Sequence, residues 1–219
     1  MHSNDRESLR TASSTGPARP LIVAIGGTSR PDSISERVLR IAAERIRAGS
    51  AFVELFGAKD LALPMYAPEA TSRTARAEQM VSAMRRAHGF LIASPGYHGA
   101  MSGLVKNALD YAEDLREDTP PYWEGRAVGL IACAAGWQAA GNTMLAMRAI
   151  VHALRGWPTP LGIALNTCSN PFSEQGKLAD LTLERQLTIL VEQVLSFATM
   201  RMIAKSASWN LSSGVKGHG

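Results

Sequence analysis

A chain of 219 residues, 46% of them hydrophobic, is long enough to bury the core of one α/β domain. No apolar run approaches the roughly 20 residues that a bilayer crossing needs, and the first twenty residues lack the apolar stretch of a secretory signal. The net charge of +4 does not point to nucleic acid. The excess lies at the ends, with Arg6, Arg10 and Arg19 against Asp5 and Glu7 before position 21, and Arg201, Lys205 and Lys216 with no acid after position 200. The intervening body is neutral and gives no sign of a basic binding face. Cys133 and Cys168 are the only cysteines and no CxxC occurs, so no disulfide framework is expected and a reducing cytoplasm is the default.

Residues 1–20 are rich in Ser, Thr, Arg and Pro, lack periodicity, and are expected to form a disordered tail. LIVAIG (21–26) is a continuous apolar run ending in glycine, which suits a strand buried on both faces. Ile34, Val38, Ile41 and Ala42 then recur at helical spacing. AFVELF (51–56) reads as the second strand, 75–87 as a helix, and GFLIASP (89–95) as the third strand. Leu104, Ala108, Tyr111, Ala112 and Leu115 mark another helix, and AVGLIACAA (127–135) a fourth strand. Helix 143–155, strand PLGIAL (160–165) and a long helix through Leu183, Leu187, Leu190, Val194 and Ala198 complete the body. Residues 204–219, rich in Ser and Gly, are expected to be a flexible tail, leaving one folded domain over 21–203. Five β-α units predict parallel pairing in a doubly wound sheet. Ligands of such sheets sit outside the carboxyl ends of the strands, at the switch point.

The loops after strands one, three and four therefore carry the chemistry. The first, GGTSRPDSIS (26–35), joins two glycines to the hydroxyls of Thr28, Ser29, Ser33 and Ser35 and the guanidinium of Arg30, at a helix N-terminus. The glycines allow close backbone approach to a ligand, and the rest is the donor set of a phosphate site. The same hydroxyls also suit a plain helix cap. GxGxxG and GxxxxGK[ST] are both absent, so neither a dinucleotide pyrophosphate nor a Walker nucleotide finds its fingerprint. A terminal phosphomonoester such as that of FMN fits better. SPGYHG (94–99) offers backbone donors and ring surface to a flavin ring, or a plain turn capped by Ser102. No acid orients His98 and no nucleophile has triad-like surroundings, so no acid–base or nucleophilic catalyst stands out. AAGWQAAGNT (134–143) presents Trp137, which either stacks near a ligand or covers the sheet edge.

GTSRPDS followed by an apolar helix, together with SPGYHG and SGLVKNALDY, resembles the NADPH-dependent FMN reductase family. Gly27, Thr28, Arg30 and Ser33 match its first motif. Ser94, Pro95, Tyr97, Gly103, Lys106, Asn107 and Asp110 match its second, and DLALPMY (60–66) is similar to its Leu-Pro segment. Gly96 and His98 depart, standing where a carboxylate and an Asn are common. The resemblance implies a flavodoxin-like three-layer α/β sandwich over 21–203 with a five-stranded parallel sheet of order 2-1-3-4-5. It implies FMN held by Thr28, Arg30, Ser33 and Ser35 at the phosphate, and by Pro95, Gly96, Tyr97, His98, Gly99, Ala135, Gly136 and Trp137 around the ring. It implies a ping-pong NAD(P)H oxidoreductase, with hydride passing from NADPH or NADH to flavin N5 and then to a quinone, azo, nitro, metal-oxyanion or free-flavin acceptor. No metal, nucleic acid or membrane is implied. A homodimer or homotetramer is, with Lys106, Asn107 and Asp110 as interface residues, and a flavin-dependent monooxygenase is a candidate partner. A flavodoxin-like electron carrier, a non-catalytic flavin-binding protein and an FMN-dependent tailoring enzyme remain as alternatives.

Overall fold

The structure is a computed structural model, and it describes residues 19–30, 32–49 and 51–214. β1 (Leu21–Gly26) is buried at every position, as a strand covered on both faces must be. Val23 and Ile25 enter one core while Ile22 and Ala24 enter the other, the period-2 alternation of an extended chain. Ser33 caps α1 (Ile34–Ala48) by accepting the Glu36 N–H. β2 (Phe52–Phe56) is the edge strand on one side of the sheet. α2 (Ala75–Arg86) leads to β3 (Gly89–Tyr97), whose return strand is β4 (Ala100–Met101). α3 (Gly103–Asp110) is capped by Ser102 and tightens into a 3₁₀ turn over Tyr111–Leu115.

β5 (Ala127–Ala134) pairs with β3 in parallel, and β3 with β1, so the central order is β2-β1-β3-β5. α4 (Trp137–Ala153) precedes the fifth position, which is shared by β6 (Trp157–Pro158) and β7 (Ile163–Asn166), both parallel to β5. Counting those two pieces as one strand, the order implied by the resemblance is observed. The continuous strand expected over 160–165 is not. Thr159 donates its N–H to Val128, but Pro160 has no N–H to continue the ladder. The Thr159 hydroxyl then bonds the Leu161 carbonyl and the Leu161 N–H leaves for Gln193, so the chain bulges out before re-entering at Ile163.

α1 and α5 (Leu181–Gly214) pack Val38, Leu39, Ile46, Leu187, Leu190 and Val194 on one face of the sheet. α2, α3 and α4 pack Met80, Met84, Val105, Met147 and Val151 on the other. α4 starts six residues before the expected position 143. Gly136 takes the cap, its N–H held at 2.9 Å by Asn166 Oδ1, and the chain turns straight into helix. Gly141 costs about 1 kcal/mol inside a helix, a cost offset by burying Ala140 and Thr143. α5 continues to Gly214, so helix extends into the stretch expected as a tail; no Pro or Gly interrupts 204–213. Residues 1–18 and 215–219, where tails are expected, lie outside the described residues.

Among the described residues, Leu181–Ser206 is one helix long and apolar enough to cross a membrane by length and composition. Its scattered charges hide this in a search for unbroken apolar runs. One stripe, through Leu183, Leu187, Leu190, Val194 and Ala198, is buried in the protein's own core.

Candidate functional site

The carboxyl ends of β1, β3, β5 and β7 open on a cleft of about 330 Å³. It is lined by Thr28, Arg30, Ser33, Ile34, Ser35, Pro95, Gly96, Tyr97, Cys133, Ala134, Ala135 and Thr167. Eight of the twelve expected site residues are therefore brought together. His98, Gly99, Gly136 and Trp137 are not part of this lining.

The loop after β1 supplies the polar wall. Its two glycines permit close packing of neighbouring backbone: a Cβ on Gly26 would lie 2.1 Å from the Ala93 carbonyl oxygen, and one on Gly27 3.1 Å from Ala58 N. The Thr28 hydroxyl donates to the Arg30 carbonyl and accepts the Arg30 N–H, both at 3.0 Å. Its proton is spent closing the loop. Ser33 and Ser35 are buried with their hydroxyls 3.3 Å apart. They sit at the first turn of α1, where N–H groups without intrahelical partners and the positive dipole end converge. The Arg30 guanidinium is exposed on the rim, with no ion pair among the described residues.

SPGYHG is an arm of sheet, not a loop. β3 runs past its last partner in β5, Cys133, and folds back on itself, pairing Gly96 with Met101 and Tyr97 with Ala100. The two turn residues, His98 and Gly99, have φ of 50° and 87°, the signature of a type I′ hairpin. That geometry carries both residues to the exposed tip. The same geometry bears on both departures in the motif. Position 98 takes a left-handed conformation, in which Asn and His are both enriched. At position 96 a Cβ would lie 2.3 Å from the Thr143 hydroxyl and 3.0 Å from the Ala134 side chain, so no carboxylate fits. Thr143 is fully buried and its hydroxyl donates to the Ala100 carbonyl, fastening the arm to α4. At the arm's base the Ser94 hydroxyl accepts the Ser102 N–H at 3.0 Å.

The far wall is apolar backbone. Ala135 lines the cleft, whereas the Gly136 N–H is given to Asn166. Trp137 is 68% exposed on the first turn of α4. Burial pushes the Cys133 thiol up to about 12, so the cleft floor stays neutral and carries no thiolate nucleophile. Cys133, Ala134, Ile34 and Thr167 were not expected. Thr167 follows β7, so the rule that ligands sit at strand carboxyl ends covers it once the fifth strand is placed correctly.

Asn107 is corrected from an interface residue to an internal clamp. It is 5% exposed. Its amide donates to the Pro64 carbonyl at 2.9 Å and its oxygen accepts the Tyr66 N–H at 2.8 Å, so it holds the Leu-Pro segment of its own chain. Lys106 and Asp110 pair with each other on the exposed side of α3.

Residues 20–168 match the model of the NADPH-dependent FMN reductase family. Over 109 residues the chain is 32% identical to an FMN-dependent NADPH-azoreductase of Staphylococcus aureus, an alignment covering 49% of this chain and 54% of that one. The chain thus spans about half the length of the curated relatives it matches. Among solved structures, it superposes on the flavoenzyme NAD(P)H:(acceptor) oxidoreductase FerB from Paracoccus denitrificans with a TM-score of 0.68 at 16% identity, over 82% of this chain and 97% of that one. A WrbA-like flavodoxin from Agrobacterium tumefaciens superposes with a TM-score of 0.57 at 16% identity, over 83% and 98% of the two chains. At these identities the likeness is one of fold.

Proposed function

The chain belongs to the NADPH-dependent FMN reductase family, and from that premise we propose that it is an FMN-dependent NAD(P)H oxidoreductase acting on a small-molecule electron acceptor. The observation that carries this reading is the convergence in one cleft of a hydroxyl-lined helix N-terminus with the bare backbones of Pro95–Gly96 and Ala134–Ala135. The donor set fits a phosphomonoester, which presents several oxygens to hydroxyls, free N–H groups and one guanidinium. The apolar far wall fits a planar ring.

Ser33, Ser35 and the first N–H groups of α1 would hold the phosphate, with Arg30 closing from the rim. The Thr28 hydroxyl would leave the Arg30 carbonyl to donate to the same phosphate. Pro95, Gly96 and Ala135 would flank the ring, and Tyr97, 54% exposed, would cover one side of it. FMN, when bound, supplies hydride acceptance and donation in a ping-pong sequence; the protein binds, orients and limits water. The neutral Cys133 thiol adds no charge beside the ring.

The acceptor belongs to the quinone, azo, nitroaromatic, metal-oxyanion or free-flavin classes, and NADPH or NADH is the donor. A cytoplasmic homodimer or homotetramer completes the reading, supported by the free Cys133 and Cys168 and by a groove along Leu109, Ile150 and Leu154 beside the Lys106–Asp110 pair. A flavin-dependent monooxygenase is a candidate recipient of its reduced flavin. The test is direct: the purified protein takes up FMN with a shifted flavin spectrum, and anaerobic NADPH or NADH bleaches it. A colourless protein that takes up no FMN would sink the reading. Bound flavin that neither nucleotide bleaches would favour an electron carrier or a non-catalytic flavin-binding protein.

A further inference from the structure

The end of the sheet away from the cleft carries a surface of its own. β1, β2, β3, β5 and β6 pair in parallel, so Leu21, Phe52, Gly89, Ala127 and Trp157 all begin their strands at that end. α5 finishes there. Its Phe197 ring lies 4.9 Å from the Trp157 ring, and a Cβ on Gly125, just before β5, would lie 2.5 Å from Arg201 Nη2. Ala198 is the last buried residue of α5 among those whose side chains are described. From Thr199 to Ser206 the helix lies on the outside of the domain.

This end is apolar and basic at once. Phe52, Trp157, Met200 and Ile203 are each more than half exposed. Met200 and Ile203 are three positions apart, so they share a face of the helix. Local ion pairs match Glu54 with Arg86, Asp118 with Arg85, Glu117 with Arg116 and Glu124 with Arg155. Beyond those pairs the described residues place Arg19, Arg47, Arg126, Arg201 and Lys205 at this end, against Glu44 on α1, an excess of positive charge. Arg47 shares a cavity wall with Leu21, Phe52 and His88. Burial first, and then the charges of Lys205 and Arg126, hold the His88 imidazole below its ordinary range, which sets both cations near the start of β3.

Large exposed apolar side chains gathered among cations mark an interaction surface. Nucleic acid would engage the cations and leave the apolar side chains without a partner. A second copy in a two-fold arrangement would set the same cations against one another. A bilayer of acidic phospholipids satisfies both sets. We propose that this end of the molecule docks on such a bilayer, Met200 and Ile203 entering the acyl boundary, Trp157 at headgroup depth, and Arg47, Arg201 and Lys205 facing lipid phosphates. α5 then lies on the membrane rather than across it, because its stripe from Leu183 to Ala198 is committed to the core. The cleft, at the opposite end of the strands, is left facing solution.

The test is co-flotation of the full chain with vesicles of phosphatidylcholine alone, or with about one-third phosphatidylserine, at low and high salt. We expect binding to the acidic vesicles, weakened by salt, and little to the neutral ones. Arg201→Ala combined with Lys205→Ala should weaken it about thirty-fold, at roughly five-fold per cation. Met200→Ser combined with Ile203→Ser should weaken it about ten-fold or more. All four side chains are exposed, so thermal melts and FMN uptake should match wild type in both double variants. No flotation of the wild type with acidic vesicles overturns the proposal, as does equal flotation with neutral ones or flotation that survives in both variants. Light scattering on the same samples tests the other occupant. A wild-type oligomer that dissociates in the Met200→Ser, Ile203→Ser variant would give this face to a second copy and also overturn the proposal.

Discussion

His98 and Asn107 show how little a residue's type reveals without its partners. His98 sits in the left-handed region beside Gly99, a conformation that costs an L-residue roughly 1–2 kcal/mol and a β-branched one more. His98→Asn should therefore preserve or slightly raise stability, while His98→Val should lower it by about 1–2 kcal/mol. Thermal melts of the two variants check this, and a Val variant as stable as the Asn variant would refute the type I′ turn. Asn107 has the opposite character: polar, on a helix, yet buried and bonded 41 to 44 residues back along the chain. Asn107→Ala leaves the Tyr66 N–H without its acceptor and the Pro64 carbonyl with the Tyr111 hydroxyl as its remaining donor. A loss of about 2–4 kcal/mol is expected in urea unfolding, whereas a loss under 1 kcal/mol would mean that water replaces the amide. The Ser33 and Ser102 caps were readable from sequence, because a cap bonds only three residues ahead. The job of Asn107 was not, because its partners are remote.

The long connection between β2 and α2, held at Pro64 and Tyr66 by Asn107, is fastened again at Asp114. Arg73 bonds both oxygens of Asp114, the Tyr66 hydroxyl donates to the same carboxylate at 3.0 Å, and the Arg73 guanidinium lies 4.6 Å over the Tyr66 ring. Hydrogen bonding from Arg73 holds the Asp114 carboxyl below its ordinary range, against a smaller opposing effect of burial. Burial first, then the Asp114 bond, pushes the Tyr66 phenol from 10.0 up to about 12. The fold therefore favours the neutral phenol. Its contribution is complete below pH 10.0, shrinks as the pH rises toward about 12, and is gone above that. Ultraviolet titration at alkaline pH should show late phenols, Tyr122 being raised by burial as well, and one late component should be missing in Tyr66→Phe. Identical titration curves for wild type and variant would refute the clamp. The elements themselves were largely legible, since LIVAIG and its counterparts are apolar throughout and the helices keep their 3.6 period. The failures were local punctuation. Gly141 resembled a loop but lies inside α4, and Pro160 resembled strand but breaks one.

Across the whole molecule, two cores sandwich the sheet, and α5 helps to close the second. Leu190 is fully buried, and a Cβ on Gly129 of the central strand β5 would lie 3.3 Å from its Cδ1. Leu190→Ala should cost about 2–5 kcal/mol through lost burial and the cavity left behind. That is a large share of the 5–15 kcal/mol typical of a domain. Urea unfolding measures it, and a cost under 1 kcal/mol would show that α5 is not a wall of the core. By itself the sequence determined the β-α alternation, the capped start of α1 and the polar wall of the cleft. Each depends on periodicity or on bonds between near neighbours, and such features are written in consecutive residues. Only the tertiary structure decided that SPGYHG is a hairpin arm pinned by Thr143, that His98 and Trp137 stand off the cleft, and that Thr167 lines it. Those outcomes depend on which distant backbones meet, and the packing of helices against the sheet settles that after the local pattern is spent.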